Sequence, residues 1–325
     1  MLKLTTTEKA MLFCLKNLIW FINIGLFTIF SVSIPGFLSL KNLNFIFYLS
    51  SLMGFIVLGE SLVVLIGQMD LSLARLAGFS AMIVGYLSGI LFLIPDWATI
   101  PLLLLISAFL GMVNGLLIYK LKLNSFLVTL STYLIFSWGT YQIRDLPIVS
   151  IPAILTVLGR ARIGGVYFAS ILFILTVAIA YFILNHTRYG RRVYQVGGNP
   201  DAARMLGISV ERVGIIVFTV AGFLAGISGL LYIGYLGCIT STIGEGLIFL
   251  VFAAIFLGGV SLRGGVGSVT DVLGGIILLG IIDAAVTMML VSPYMRGILS
   301  GVILILAILV NKMKGQLIDR ILMPR

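Results

Sequence analysis

"YGRRVYQVGGNPDAARMLGISVERVG" (Tyr189–Gly214) carries four arginines, Arg191, Arg192, Arg204 and Arg212, between long apolar runs on either side. It is the longest strongly polar stretch in a 325-residue chain that is 60% hydrophobic and 10% charged. Soluble globular chains are typically about 25% charged. The mean hydropathy is +1.20, and several runs approach or exceed the roughly 20 apolar residues that cross a bilayer core. These features predict an all-α, polytopic membrane protein in which Tyr189–Gly214 is a folded insert outside the lipid, and they exclude a soluble globular chain.

Ten apolar spans follow, near 14–34, 45–67, 71–94, 98–119, 124–142, 166–184, 213–236, 246–262, 269–290 and 295–311. The junctions at 67–73 and 262–269 are short enough to be re-entrant. The first run is too long for a signal-peptide core and lacks a small-residue cleavage site, so it reads as an uncleaved first helix. With both termini inside, the inside segments hold Lys3, Lys9, Lys16, Arg75, Lys120, Lys122, Arg188, Arg191, Arg192, Arg204, Arg212, Arg263, Lys312, Lys314, Arg320 and Arg325. The outside segments hold Lys41, Arg144, Arg160, Arg162 and Arg296. Sixteen against five obeys the basic excess of cytoplasmic loops. The formal charge of +10 is thereby assigned to membrane topology rather than to nucleic acid. Cys14 and Cys238 fall on opposite faces and are not expected to pair. A single histidine, His186, and the lack of any C-x-x-C pair give no sign of a metal centre. The expected organisation is one transmembrane domain over 1–325, with its main cytoplasmic segment at about 186–212.

That segment contains its own helix punctuation. Asn199 is a strong N-cap and Pro200 suits the first helical position. Asp201 favours the positive end of a helix dipole, and Ala202 to Leu206 are helix formers. Gly207 supplies a left-handed stop, and Ser209 can cap the next helix. A two-turn helix is unstable alone, so it is either a solvated connector or an element that docks in a groove on a cytoplasmic partner; the sharp start and stop favour docking.

"GNPDAARMLGI" resembles the coupling motif of ABC importer permeases, roughly E-A-A-x-x-x-G, with Asp201, Ala202, Ala203 and Gly207 at its positions and Asp in place of Glu. The wider stretch "GRRVYQVGGNPDAARMLGISVERV" is similar to the sugar branch of that family, the ribose- and xylose-type permeases. "GMVNGLLIYKLKLNSFLVTLST" (111–132), "FLGGVSLRGGVGSV" (256–269) and "LIGQMDLSL" (65–73) resemble further signatures of the branch in the same order. The resemblance implies a type II-like permease in the cell (plasma or inner) membrane, paired with a second permease copy or paralogue. It also implies cytoplasmic ABC ATPase subunits gripping Asn199, Pro200, Asp201, Ala202, Ala203, Arg204 and Gly207, and an extracytoplasmic solute-binding protein. No cofactor is implied. The chain has no G-x-x-x-x-G-K-[ST] phosphate loop, so ATP hydrolysis is expected in a partner. Two departures bear on the cargo: Gly67, Gln68, Met69, Asp70, Leu71, Ser72, Leu73 and Ala74 stand where the branch usually has Gly-Gly-Ile-Asp-Leu-Ser-Val-Gly, and Asp283 stands where Asn is common.

Gly258, Gly259, Gly264, Gly265 and Gly267 read as tight turns and close backbone approaches, since no lysine follows them as in a phosphate cradle. Acids within a membrane cost about 2.5–3.5 kcal/mol on insertion scales and mark cavities or partners. Glu60, Asp70, Asp271 and Asp283 are the candidates, with Asp283 expected to be deepest. Asn114, Thr129 and Thr132 fit either a path lining or interhelical hydrogen bonds. The competing class is a self-contained ion-coupled transporter or channel using Glu60 and Asp283.

Overall fold

A computed structural model describes residues 6–322; Lys3 and Arg325 of the charge tally lie outside them. The chain forms α1 (Thr6–Lys16), α2 (Leu18–Ser33), α3 (Leu40–Leu65), α4 (Leu73–Gly89), α5 (Asp96–Tyr119), α6 (Ser125–Ile143), α7 (Ala153–Arg160), a two-stranded hairpin β1 (Arg162–Ile163) and β2 (Val166–Tyr167), then α8 (Phe168–His186), α9 (Arg188–Gly198), α10 (Pro200–Met205), α11 (Val210–Leu236), α12 (Leu247–Leu257), α13 (Val269–Met288) and α14 (Pro293–Leu322). By length and composition, six of these can cross a membrane: α3, α5, α8, α11, α13 and the Met295–Leu317 part of α14. Three apolar helices, α2, α4 and α12, are shorter. The first span is broken at Asn17, which separates α1 from α2.

Two long helices organise the rest. In α3, Ser39 accepts a hydrogen bond from the Asn42 N–H at 3.2 Å and starts 26 residues, 94% of whose most apolar window is buried. α11 starts at Ser209, whose Oγ accepts from the Arg212 N–H at 3.4 Å, and stops at Gly237 in the left-handed conformation. Small residues let the helices touch. Ser107, Gly111 and Gly115 recur every fourth residue on α5, and a Cβ built on Gly111 would sit 3.0 Å from the Cα of Gly222 on α11. Gly59 of α3 approaches Ala221 of α11 in the same way, its Cβ position 3.1 Å from the Ala221 backbone. Where lipid removes the hydrophobic drive between helices, such close backbone packing holds them together.

The contacts follow one plan twice. α3 packs on α13 and α11 on α5; α4 packs on α6 and α12 on α14; α4 meets α5 as α12 meets α13. α3 ends, and α11 begins, at the face carrying α9 and α10, so the two four-helix units run in opposite senses, as in the inverted repeats of many transporters. The short helix of each unit, α4 or α12, is preceded by non-helical chain. Residues 66–72 lead into α4, with Asp70 and Ser72 fully enclosed. Residues 237–246 lead into α12 and run antiparallel along α4. The Ile239 side chain packs where Gly85 lacks one, Ile243 lies against Gly78, and Gly244 lies beside the Ala74–Arg75 backbone. Ile239 also pairs with Ile148 through backbone hydrogen bonds of 2.9 and 3.0 Å.

Arg75 does not belong with the inside loop charges. It lies in α4 with 1% exposure. Acceptors from α6 and from residues 241–243 hold its guanidinium.

Candidate functional site

The polar insert is built as its punctuation predicts. Thr187 Oγ1 accepts from the Gly190 N–H (3.2 Å) and opens α9, which buries Gly190, Val193, Val196 and Gly197. Asn199 Oδ1 accepts from the N–H groups of Asp201 and Ala202, both at 3.0 Å, and Pro200 takes the first helical position of α10. At the far end the Ile208 N–H donates to Ala203 O (3.0 Å) and the Gly207 N–H to Arg204 O (2.9 Å), with Gly207 at φ +77. Arg204 is held by Asp201 at 2.7 Å and lies 3.8 Å from Glu211. Only Ala203 of α10 is buried, while Met205 is 89% and Leu206 71% exposed. α10 is thus anchored by one small residue and turns an apolar pair outward.

Directly behind α10 three backbones meet. The Gly265 N–H donates to Leu65 O at 2.8 Å. Cβ positions on Gly264 and Gly265 would fall 2.6 Å from Gly67 N and from Gly198 Cα respectively, and both residues have positive φ, +79 and +71. The Tyr194 hydroxyl donates to Gly267 O at 3.0 Å, and burial raises its phenol above the ordinary range, so it stays a donor. The glycine-rich stretch therefore joins the end of α3, the end of α9 and the turn between α12 and α13. Elsewhere in it, a Cβ on Gly258 would lie 2.9 Å from Val272 Cα, and Gly259 faces Lys314 Nζ at 3.0 Å. Tyr194 was missed in the sequence because its partner is 73 residues away.

The acids fall into separate places. Glu60 and Asp70 are fully enclosed, whereas Asp283 is partly exposed. Glu60 Oε1 accepts from the Asp70 N–H (3.0 Å). Asp70 Oδ1 accepts from Ser72 N–H (2.8 Å) and Ser72 hydroxyl (2.6 Å), and Asn114 Nδ2 reaches Ser72 Oγ at 2.9 Å and Asp70 Oδ2 at 3.4 Å. Thr129 donates to Ser125 O at 2.8 Å and lies 3.4 Å from Met69 O; Thr132 bonds within its own helix. This network pins the 66–72 chain between α3, α5 and α6. Asp271 sits in the first turn of α13, behind the Ser268 cap. Asp283 pairs with Arg296 at 3.4 Å, both about two-fifths exposed, because Arg296 follows the turn from α13 into α14. Arg296 also donates to Thr287 at 3.1 Å. The pair lines a cavity of about 500 Å³ with Tyr232, Tyr235, Glu245 and Ser300. Among the described residues no three His, Cys, Asp or Glu are grouped to hold a metal, and Cys14 and Cys238 are both free.

A family model described as branched-chain amino acid transport system / permease component matches residues 42–308. The galactose/methyl galactoside import permease of Haemophilus influenzae is 30% identical over 317 residues, 92% of this chain and 94% of that protein. The corresponding permease of Escherichia coli is 31% identical, over 86% of this chain and 89% of its own length. The ribose import permease of Haemophilus influenzae is 29% identical, over 89% and 91%. No solved structure matches the chain.

Proposed function

The chain belongs to the family of branched-chain amino acid transport system permease components, and from that membership we propose that it is the membrane subunit of an ABC importer that moves a sugar or sugar-like solute inward. It is a transport subunit rather than an enzyme. The relatives named for galactose, methyl galactoside and ribose support the cargo class. The working unit is a dimer of this chain with a second copy or paralogue. ABC ATPase subunits bind inside, and a solute-binding protein delivers cargo outside. Ten crossings with both termini inside comprise the six long helices, α6 and the three shorter helices. The whole chain then works as one transmembrane domain.

The observation that carries the coupling role is α10: a helix capped at both ends, buried through Ala203 alone, presenting Met205 and Leu206 to a partner. The ATPase grips this helix, and the glycine junction behind it passes the motion to α3, α12 and α13. A cysteine at Met205 in a Cys-free background tests the contact. It should cross-link to the co-purified ATPase, and absence of an adduct while the complex stays intact would remove α10 from the interface. The alternative of a self-contained ion-coupled carrier rested on Glu60 and Asp283. Both now have structural occupations, in the 66–72 network and the Arg296 pair, and family membership gives that alternative no support.

A further inference from the structure

The chain that leads into α12 forms, with α4 and α6, a second cavity of about 260 Å³ lined by Arg75, Tyr133, Leu134, Ser137, Trp138, Tyr141 and Glu245. Its chemistry is unusual for a membrane interior. Arg75 is a fully enclosed guanidinium and takes part in none of the three ion pairs among the described residues. Its Nε–H donates to Ser137 Oγ (3.0 Å), Nη1 to Ser241 O (3.1 Å) and Ile243 O (3.2 Å), and Nη2 to Ser137 O (3.3 Å). A guanidinium has five N–H donors, so one on Nη2 is uncommitted. The Tyr141 ring lies 5.9 Å from the Arg75 carbon and its hydroxyl donates to Glu245 Oε2 at 3.2 Å, leaving Oε1 as a free acceptor. Trp138, whose ring is tilted toward Tyr141 with centroids 6.1 Å apart, is 69% exposed.

We infer that this cavity is a saccharide subsite on the transport route, an inference that rests on the sugar-importer reading above. A neutral polyol needs three things of a wall: flat aromatic faces for its C–H side, an acceptor for its hydroxyl protons and a donor for its oxygens. Trp138 and Tyr133 supply the faces, amphipathic surfaces that hold an apolar body beside a wet edge. Glu245 supplies the acceptor and the spare Arg75 N–H the donor, the few convergent polar groups of a small-molecule site. Glu245 opposes an anionic solute and Arg75 a cationic one, so a solute without net charge fits this lining, and a sugar is the one the importer reading supplies. The place fits as well. Glu245 sits two residues before the short helix α12, and the unwound ends of discontinuous helices at a repeat interface are where carriers bind cargo. Glu245 also lines the larger Asp283–Arg296 cavity, so it links the two chambers.

The test is uptake of radiolabelled D-galactose and D-ribose by cells carrying the complete transporter, with permease level and ATPase co-purification measured on the same cells. Trp138→Ala and Glu245→Gln should raise the half-saturating concentration for at least one sugar by about tenfold or lower its maximal rate as much, while Trp138→Phe keeps uptake within about threefold. Tyr141→Phe, which removes one oxygen, serves as the mild variant and should give an intermediate loss. Excess unlabelled D-galacturonate should not compete. If wild-type cells take up neither sugar, a cargo of the relatives' galactose or ribose type is ruled out and the subsite for it with it. If wild-type cells take up sugar and Trp138→Ala and Glu245→Gln match them, the subsite alone is refuted; competition by the galacturonate anion would refute its uncharged cargo.

Discussion

Glu60 serves the fold through a single oxygen. Its Oε1 takes the Asp70 N–H, a backbone donor shut off from bulk solvent. Glu60→Gln keeps an acceptor there, whereas Glu60→Ala strands the donor, at a cost of about 1–3 kcal/mol. The melting midpoint of the detergent-solubilised protein should fall by about 2–6 °C for Ala and by clearly less for Gln. Equal melting of the two would show that the bond contributes nothing. Asp283 is the opposite case. Both partners are about two-fifths exposed to the cavity, and solvent-screened pairs contribute little, so Asp283→Leu should melt within about 1 °C of the wild type. Its uptake should still drop, since the cavity loses a polar wall, while Asp283→Asn keeps most of it; a large melting loss with unchanged uptake per folded molecule would make Asp283 a packing residue. The sequence announced these acids but not their enclosure. Hydropathy places a residue along a span, whereas enclosure is decided by partners far away in the chain. Arg75 shows this most plainly: its acceptors lie 62 to 168 residues on, and beside Asp70 it looks like an ordinary loop charge.

α10 was legible because caps are local physics. Asn199, Pro200, Gly207 and Ser209 each act within a few residues, and each takes the geometry its chemistry favours. The glycine junction was legible only as composition, since its meaning lies in three backbones that the sequence keeps apart. Gly265→Ala tests that meaning. The new Cβ would collide with Gly198 Cα, and the +71 φ is strained for alanine. Met205 and Leu206 remain where they were, so the ATPase should still co-purify while uptake falls more than about tenfold, the mark of a broken mechanical link. Loss of the ATPase from that variant would mean the junction merely holds α10 in shape. Six of the ten expected spans coincide with helices long and apolar enough to cross a membrane, and the others fall on α2, α4, α6 and α12. The re-entry of residues 237–246 was not legible, because a polar gap between two spans looks the same whether it lies outside or folds back along α4.

Two oppositely running four-helix units are each interrupted before the short helix, and both cavities meet at Glu245 in the second interruption. The single chain leaves α14 almost bare: only 6% of its most apolar window is buried. Lipid and a second copy are the covers a membrane dimer provides. The basic excess predicts the orientation proposed above. A cysteine at Ser150 in a Cys-free background should react with an impermeant reagent from outside, and one at Asn199 should not; the reverse pattern would invert the molecule and remove α10 from the ATPase. The energy source is the remaining question, and it has a local handle. Gly207 stands at φ +77 with open space around it, so Gly207→Pro, which requires φ near −65°, unmakes the end of α10 and touches nothing else. Gly198→Ala, also in open space without positive φ, is the matched control. In right-side-out vesicles loaded with ATP and supplied with the binding protein, sugar uptake by the control should equal the wild type, and uptake by Gly207→Pro should fall below about a tenth of it at equal permease level. Uptake at the wild-type rate in Gly207→Pro would contradict the grip of the ATPase on α10.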